Sequence, residues 1–285
     1  MISLYTLSDI IRDYRTELGG IYADNEIRNI GYLVSEHLLN YSKIDFHLKD
    51  QEPISAEMAE KFRHSLERLK HGEPVQYITG STEFYGLPFR VDRRVLIPRP
   101  ETEELVDWII RENRDLPIRI FDAGTGSGCI AVSLAVNLVR ARVSAGDVSE
   151  DALNLAGHNA EINRAVIRFF TFDLLDQKFI LPGKYEVIVC NPPYVRQGEK
   201  IFMRRNVLDY EPELALFVPD ADPLLYYRNL ALLGRKYLQD GGKLYLEINE
   251  SFPSEVVRLL ENAGFYGIEV RKDLNGKARM VRGRK

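Results

Sequence analysis

Apolar positions recur at three- and four-residue steps through the first 72 residues. Leu4, Leu7, Ile11, Tyr14 and Leu18 form one stripe. Ile27, Ile30, Val34 and Leu38 form a second, behind an N-cap expected at Asp24. Met58, Phe62, Leu66 and Leu69 form a third, behind Ser55. This spacing puts each set on one face of a helix. It predicts a small helical domain over residues 1–72, with the stripes as core and the charged faces in water. Nothing in that stretch points to chemistry.

The pattern changes over residues 73–100. Glu73-Pro74-Val75-Gln76-Tyr77-Ile78-Thr79-Gly80 and Glu83-Phe84-Tyr85-Gly86-Leu87-Pro88-Phe89-Arg90-Val91 are short aromatic and β-branched runs around a Gly/Pro turn. They predict a linker with a β-hairpin. In Ile97-Pro98-Arg99-Pro100-Glu101-Thr102-Glu103 two prolines hold Arg99 on a stiff extended segment. Glu101 or Thr102 is expected to begin the next helix, which carries Leu105, Val106, Ile109 and Ile110. The segment reads equally as a plain helix start and as a wall of a site.

From about residue 116 strand and helix patterns alternate, the signature of a parallel sheet covered on both faces. Strands are expected at 119–122, 141–148, 167–173, 185–190 and 243–249, the last after a turn at Gly241-Gly242. Helices are expected between them, to about 139, at 150–163 and 224–238, and another at 253–263. Residues 195–223 show no period, and a loop that long is often functional. Two more strands flank Asn275-Gly276, a two-residue hairpin signal. The fold class is therefore α/β: a mostly parallel seven-stranded sheet with an antiparallel last strand over residues 101–285, plus the small N-terminal helical domain.

Composition narrows the class. The 285 residues are 45% hydrophobic and 28% charged, with a net charge of −4. An acidic balance argues against a dedicated nucleic-acid binder. The basic run Arg271, Lys272, Lys277, Arg279, Arg282, Arg284 and Lys285, and the pair Arg204-Arg205, read as solvated faces. Two cysteines, Cys129 and Cys190, lie inside apolar runs, which supports neither a disulfide framework nor a metal site. There is no signal-peptide pattern and no stretch near the ~18 apolar residues of a membrane span. A cytoplasmic protein with no membrane partner is expected.

The candidate chemistry sits at the predicted strand ends. Asp122-Ala123-Gly124-Thr125-Gly126-Ser127-Gly128 ends the first strand of the sheet. Its spacing is neither the G-x-G-x-x-G of dinucleotide enzymes nor a P-loop. No basic residue follows to meet a phosphate, so an adenosine derivative without phosphates suits it better. Asp147, at the end of the next strand, is placed to accept from ribose hydroxyls. Asp173, ending the third, could accept from an adenine amino group. S-adenosylmethionine fits this set, with Asp122 and the loop amides orienting its amino-acid end. Asn191-Pro192-Pro193-Tyr194 follows the strand at 185–190. Prolines have no N–H, so this turn offers carbonyl oxygens, the Asn191 amide oxygen and a flat ring. That combination suits a planar NH2 group, in glutamine, adenine or cytosine; the plainer reading is a proline-stiffened turn.

With these residues in place, the chain resembles the Rossmann-like class I methyltransferases. More closely, it resembles the peptide-chain release factor glutamine methyltransferases, across nearly its whole length. The resemblance rests on residues 73–80 and 96–103, the glycine loop, Asn191 to Tyr194, Tyr210-Glu211-Pro212-Glu213-Leu214-Ala215-Leu216, and Gly241-Gly242. It implies methyl transfer to the glutamine of the Gly-Gly-Gln motif in class I release factors, which the helical domain helps dock. Nucleic acid is not required. Asn191, Pro192 and Tyr194 would be catalytic, and with Pro193 would bind substrate. Asp122, Gly124, Thr125, Gly126, Ser127, Gly128, Asp147, Asp173, Leu174 and Asn191 would hold S-adenosylmethionine; Arg99, Glu101 and Thr102 are further candidates, on the wall of the site. Some members carry Trp where this chain has Leu174, so stacking on adenine becomes an aliphatic contact. The alternatives are an adenine-amino methyltransferase on DNA or RNA, a cofactor-binding scaffold without turnover, and, more distantly, a nucleotide-dependent dehydrogenase.

Overall fold

The computed structural model describes residues 5–176 and 178–285; Leu4 of the first stripe lies outside the described residues. The chain forms two compact units, Met1–Gly80 with Arg204–Tyr210, and Ser81–Met203 with Glu211–Lys285.

The first unit is helical: α1 (Leu7–Leu18), α2 (Asp24–Leu39), α3 (Lys43–Leu48), α4 (Ala56–Lys70) and α5 (Val75–Thr79). Thr6 and Asp9 cap α1 reciprocally, each side chain accepting from the other's backbone N–H. Ser55 caps α4 through the Met58 N–H. Asp24 is the first helical residue of α2, not its cap, which is Ala23. Its carboxylate complements the helix N-terminus without a capping bond. Tyr14, Leu18, Ile27, Val34, Phe62 and Leu69 meet in one core. Two departures follow from tertiary contacts. Residues 75–79 are a helix, because Val75 and Ile78 join this core, so the linker expected from residue 73 begins after Gly80. Residues 204–210 also join this unit, Arg204 pairing with Glu26 at 3.3 Å and the Tyr210 hydroxyl donating to the His71 carbonyl at 3.2 Å.

The second unit opens with a hairpin, β1 (Ser81–Phe84) and β2 (Leu87–Arg90), then α6 (Pro100–Asn113), β3 (Arg119–Ala123), α7 (Cys129–Asn137), β4 (Arg142–Asp147), α8 (Glu150–Ile162), β5 (Ile167–Thr171), β6 (Tyr185–Cys190) and β7 (Val195–Arg196). A 3-10 turn at Gln197–Phe202 leads to α9 (Arg205–Leu208), in the helical unit. The chain returns through α10 (Glu213–Leu216) to β8 (Phe217–Val218), α11 (Leu225–Tyr237), β9 (Leu238–Glu247), α12 (Pro253–Asn262), β10 (Tyr266–Lys272) and β11 (Ala278–Arg284). The stretch 195–223 is thus built of short pieces, with β7 and β8 paired in parallel. Helix α6 starts at Pro100, earlier than the expected Glu101 or Thr102. Proline suits a first helical position because its missing N–H would have no partner there.

Seven strands form one sheet in the order β10-β11-β9-β6-β3-β4-β5, and β11 runs antiparallel to both neighbours. The chain progresses outward from β3 to β4 and β5, then crosses to β6 on the other side of β3. That reversal opens a crevice at the carboxyl ends of β3 and β6. Along β6, Val187 and Val189 enter the core under α6 and α7, while Ile188 and Cys190 enter the core under α11 and α12. Strand β9 begins five residues before the expected 243. Tyr185 pairs with Leu238 and Val187 with Lys243, so Gly241-Gly242 bulge out within the strand. The last hairpin also differs from the two-residue turn. Asp273 N–H donates to the Lys277 carbonyl, Gly276 N–H to the Asp273 carbonyl, and Gly276 has a φ of 82°. This is a longer loop with a glycine bulge.

Gly146, next to Asp147, lies against the second core. A Cβ there would sit 2.6 Å from the Phe172 Cβ. Gly146→Ala should destabilise the protein by about 1–3 kcal/mol through overpacking. A urea midpoint equal to wild type would contradict this packing.

Candidate active site

The loop after β3 is shaped by glycine. Gly124, Gly126 and Gly128 have φ of 74°, 54° and 80°, a region costly for other residues. A Cβ on Gly124 or Gly126 would meet nothing within 4 Å, so space lies open over both. Gly128 is different, since its Cβ would press on Ala156 of α8 at 3.0 Å. Two clamps hold the loop. Gly126 N–H donates to Asp147 Oδ2 at 2.8 Å and Ser149 N–H to Asp147 Oδ1 at 3.0 Å. Each carboxylate oxygen keeps a lone pair for a further donor. Behind the loop, Asn159 of α8 is fully buried. Its Nδ2 donates to the Ser127 and Arg90 carbonyls at 2.8 and 3.0 Å, and its Oδ1 accepts from the Arg90 N–H at 2.7 Å. Asn159 thereby ties the β2 end of the hairpin to the glycine loop. Sequence reasoning missed it, because an Asn inside a helical stretch carries no signal until its fold neighbours are known.

Asp122 is wholly buried at the end of β3. Its Oδ2 accepts from Thr125 Oγ1 at 2.7 Å, while its Oδ1 has no hydrogen-bond partner. Burial raises its pKa to about 7; the Thr125 hydroxyl opposes this and the Asp147 carboxylate adds to it. A buried acceptor without a donor beside open space over two glycines suits the ammonium end of an amino acid. Asp173 does not end a strand, because β5 stops at Thr171. Asp173 is exposed and its Oδ1 takes the Leu175 N–H at 2.8 Å, a local turn that leaves the second oxygen open. Leu174 is half-buried and packs on the core with Phe172 and Phe179, lining a cavity of about 540 Å³. Burial pushes the Cys129 thiol up to about 12 and the Cys190 thiol well above its ordinary value, so neither is a nucleophile.

Asn191 to Tyr194 leave β6 beside this loop. Asp122 and Val189 are in register on adjacent parallel strands, so both segments emerge at the same sheet edge. Asn191 Nδ2 donates to Thr102 Oγ1 at 3.2 Å. Thr102 Oγ1 donates to Glu247 Oε2 at 2.6 Å, and the Tyr194 hydroxyl donates to Glu247 Oε1 at 2.9 Å. Asn249 Nδ2 holds the Tyr194 carbonyl at 3.0 Å. Glu247, at the end of β9, is buried, which raises its pKa. The two hydroxyls and Arg279 favour its charge, and Glu101 opposes it. Thr102 therefore belongs to the Asn191 constellation, in keeping with the reading of its segment as a wall of a site. Glu247 and Asn249 carry no motif of their own, and only the sheet order reveals them. Arg99 is turned elsewhere: it donates twice to buried Glu211, at 2.7 and 2.9 Å, and Ile97 N–H donates to the same carboxylate at 3.3 Å. Burial raises the Glu211 pKa, against the pull of Arg99. This pair anchors the return of the 195–223 stretch to the segment before α6. Among the described residues no His, Cys, Asp and Glu cluster could hold a metal.

A family model described as the PrmC N-terminal domain matches residues 9–80, and one described as the methyltransferase small domain matches residues 105–208. The release factor glutamine methyltransferase of Bacteroides thetaiotaomicron is 45% identical over 94% of this chain and 96% of its own length. That of Flavobacterium psychrophilum is 43% identical over 96% and 98%, and that of Bacillus subtilis 40% identical over 81% and 82%. Among solved structures, a methyltransferase from Pyrococcus furiosus aligns with a TM-score of 0.53 at 16% identity, over 81% of this chain and 99% of that one. At that identity the likeness is one of fold.

The Asp122 geometry carries a signed expectation. A carboxyl whose pKa is about 7 when folded holds a proton that the unfolded chain releases near pH 4. Stability therefore falls as pH rises between about 4 and 7, then levels. Asp122→Asn lacks this loss, so its stability relative to wild type should grow across that window by a few kcal/mol. Urea unfolding of both proteins from pH 4 to 8 measures it, and parallel profiles would refute a protonated, buried Asp122.

Proposed function

The chain belongs to the release factor glutamine methyltransferase family, and from that premise we propose that it methylates the side-chain nitrogen of the glutamine in the Gly-Gly-Gln motif of class I peptide-chain release factors. The observation that carries this reading is the placement of the Asn191 turn and the glycine loop at the switch point between β6 and β3. One segment is built to hold a planar NH2 and the other to hold the methyl donor. S-adenosylmethionine, when bound, supplies a methyl group on a cationic sulfur, which takes the bonding electron pair as the new N–C bond forms. Asp122 and the open backbone at Gly124 and Gly126 would receive its amino-acid end, and the free lone pairs of Asp147 its ribose hydroxyls.

An amide nitrogen is a weak nucleophile, so this site works by position and electrostatics. The Asn191 side-chain oxygen and the Pro192 carbonyl accept the two N–H groups of the glutamine amide. They aim the nitrogen and stay hydrogen-bonded to its N–H groups as positive charge develops; the proton that the alkylated nitrogen sheds passes to solvent water. Pro193 contributes no competing N–H donor. Tyr194, its hydroxyl tied to Glu247, packs its ring on the amide plane. The helical unit is proposed to dock the release factor. In support, Ile44 and Leu48 on α3 are 70% and 78% exposed at i, i+4 spacing. A cytoplasmic setting, with neither membrane nor nucleic acid required, belongs to the same proposal.

Transfer of labelled methyl from S-adenosylmethionine tests the reading. Three acceptors are needed: a class I release factor, the same factor with the Gly-Gly-Gln glutamine changed to alanine, and unmethylated duplex DNA. Label in the first alone is expected; label in DNA would replace this reading with adenine methylation. Asn191→Ala should lower kcat by about 10²–10³ while cofactor affinity changes less. Asp147→Ala should instead weaken cofactor binding, and unchanged affinity by calorimetry would remove its ribose role.

A further inference from the structure

The Asn191 amide has two orientations of nearly equal shape, related by a half-turn that exchanges its oxygen and nitrogen. Sterics do not choose between them. Only one presents an acceptor to the substrate amide; the other presents NH2 against NH2. The choice is made by the direction of hydrogen bonds behind Asn191. Thr102 has one hydroxyl proton, and it goes to Glu247 Oε2 at 2.6 Å. Toward Asn191, at 3.2 Å, the Thr102 oxygen can therefore only accept. The Asn191 nitrogen faces Thr102, which leaves its oxygen on the opposite side of the amide, free to accept from a substrate. Glu247 Oε1 is occupied by the Tyr194 hydroxyl at 2.9 Å, so the carboxylate directs both side chains of the turn from one buried point.

We propose that Glu247 is a positioning residue that sets the proton order through Thr102 and thereby holds Asn191 with its oxygen toward the glutamine amide. The inference rests on the glutamine reading above. Glu247 touches no substrate. It lies on β9, Thr102 on α6, and Asn191 at the end of β6, so the order is imposed by three elements distant in sequence. If the carboxylate is removed, the Thr102 proton is free to be donated to Asn191, and the amide turns over.

Glu247→Met tests this, because it is apolar and of similar size; it leaves the Thr102 and Tyr194 hydroxyls without their acceptor, so its urea unfolding is compared with wild type first, and the Thr102 variants decide the question if it does not fold. With saturating S-adenosylmethionine and a class I release factor, kcat should fall by up to about 100-fold, while cofactor affinity stays near wild type. Thr102→Ser, which keeps the hydroxyl, should keep kcat, whereas Thr102→Val should lose it like Glu247→Met. Neutron diffraction of deuterated crystals reads the amide directly: ND2 toward Thr102 in wild type, oxygen toward Thr102 in Glu247→Met. A wild-type kcat in Glu247→Met, equal rates for Thr102→Val and Thr102→Ser, or an unturned amide would each overturn the proposal. If wild type transfers no methyl to the release factor, the glutamine reading fails instead, and the diffraction arm still decides the amide.

Discussion

A carboxylate buried at the end of β9 is the constraint around which this site is arranged. Burying Glu247 is costly unless its oxygens receive donors. Two hydroxyls provide them, Thr102 from the first turn of α6 and Tyr194 from the turn after β6, with Arg279 of β11 favouring the charge. Satisfying that one group fixes where α6 begins relative to the sheet. It also fixes how the Asn191 turn leaves β6. The start of α6 at Pro100 places Thr102 inward, between the half-buried Glu101 and Glu103.

The cofactor side has its own scaffold, made of backbone donors and acceptors. Asp147 takes the Gly126 N–H of the glycine loop and the Ser149 N–H before α8, and Asn159 satisfies the Ser127 carbonyl from below while pairing with both backbone groups of Arg90. The glycine loop is thus held before any ligand arrives, which lowers the ordering cost of binding. Asp122 is the exception, with one oxygen satisfied and the other left open. Local incompleteness of this kind, inside an otherwise satisfied network, is where a charged ligand group gains most.

Much of this was legible in the chain itself. Period-3.6 stripes and short apolar runs located the longer helices and the parallel strands to within a few residues, because burial leaves its trace in the sequence; the short helix Lys43–Leu48 left none. The glycine loop and the Asn191 turn were legible because their residue types are chemically unusual. Less legible were the helix at Val75–Thr79, the capture of residues 204–210 by the helical unit, and the early start of β9. Each is settled by what the segment packs against, and propensity carries no record of that.

The sequence alone singled out the residues proposed to meet the cofactor and the substrate amide, since motif chemistry depends on residue type and short spacing: Asp122 to Gly128, Asp147, and Asn191 to Tyr194. The tertiary structure alone decided what orients them. Thr102 of α6, Asn159 of α8, and Glu247 with Asn249 at the end of β9 are separated by tens of residues. Their role exists only once the sheet brings β9 beside β6 and β6 beside β3. Hydrogen-bond direction is a property of neighbours in space, and neighbours in space are what a one-dimensional pattern does not encode.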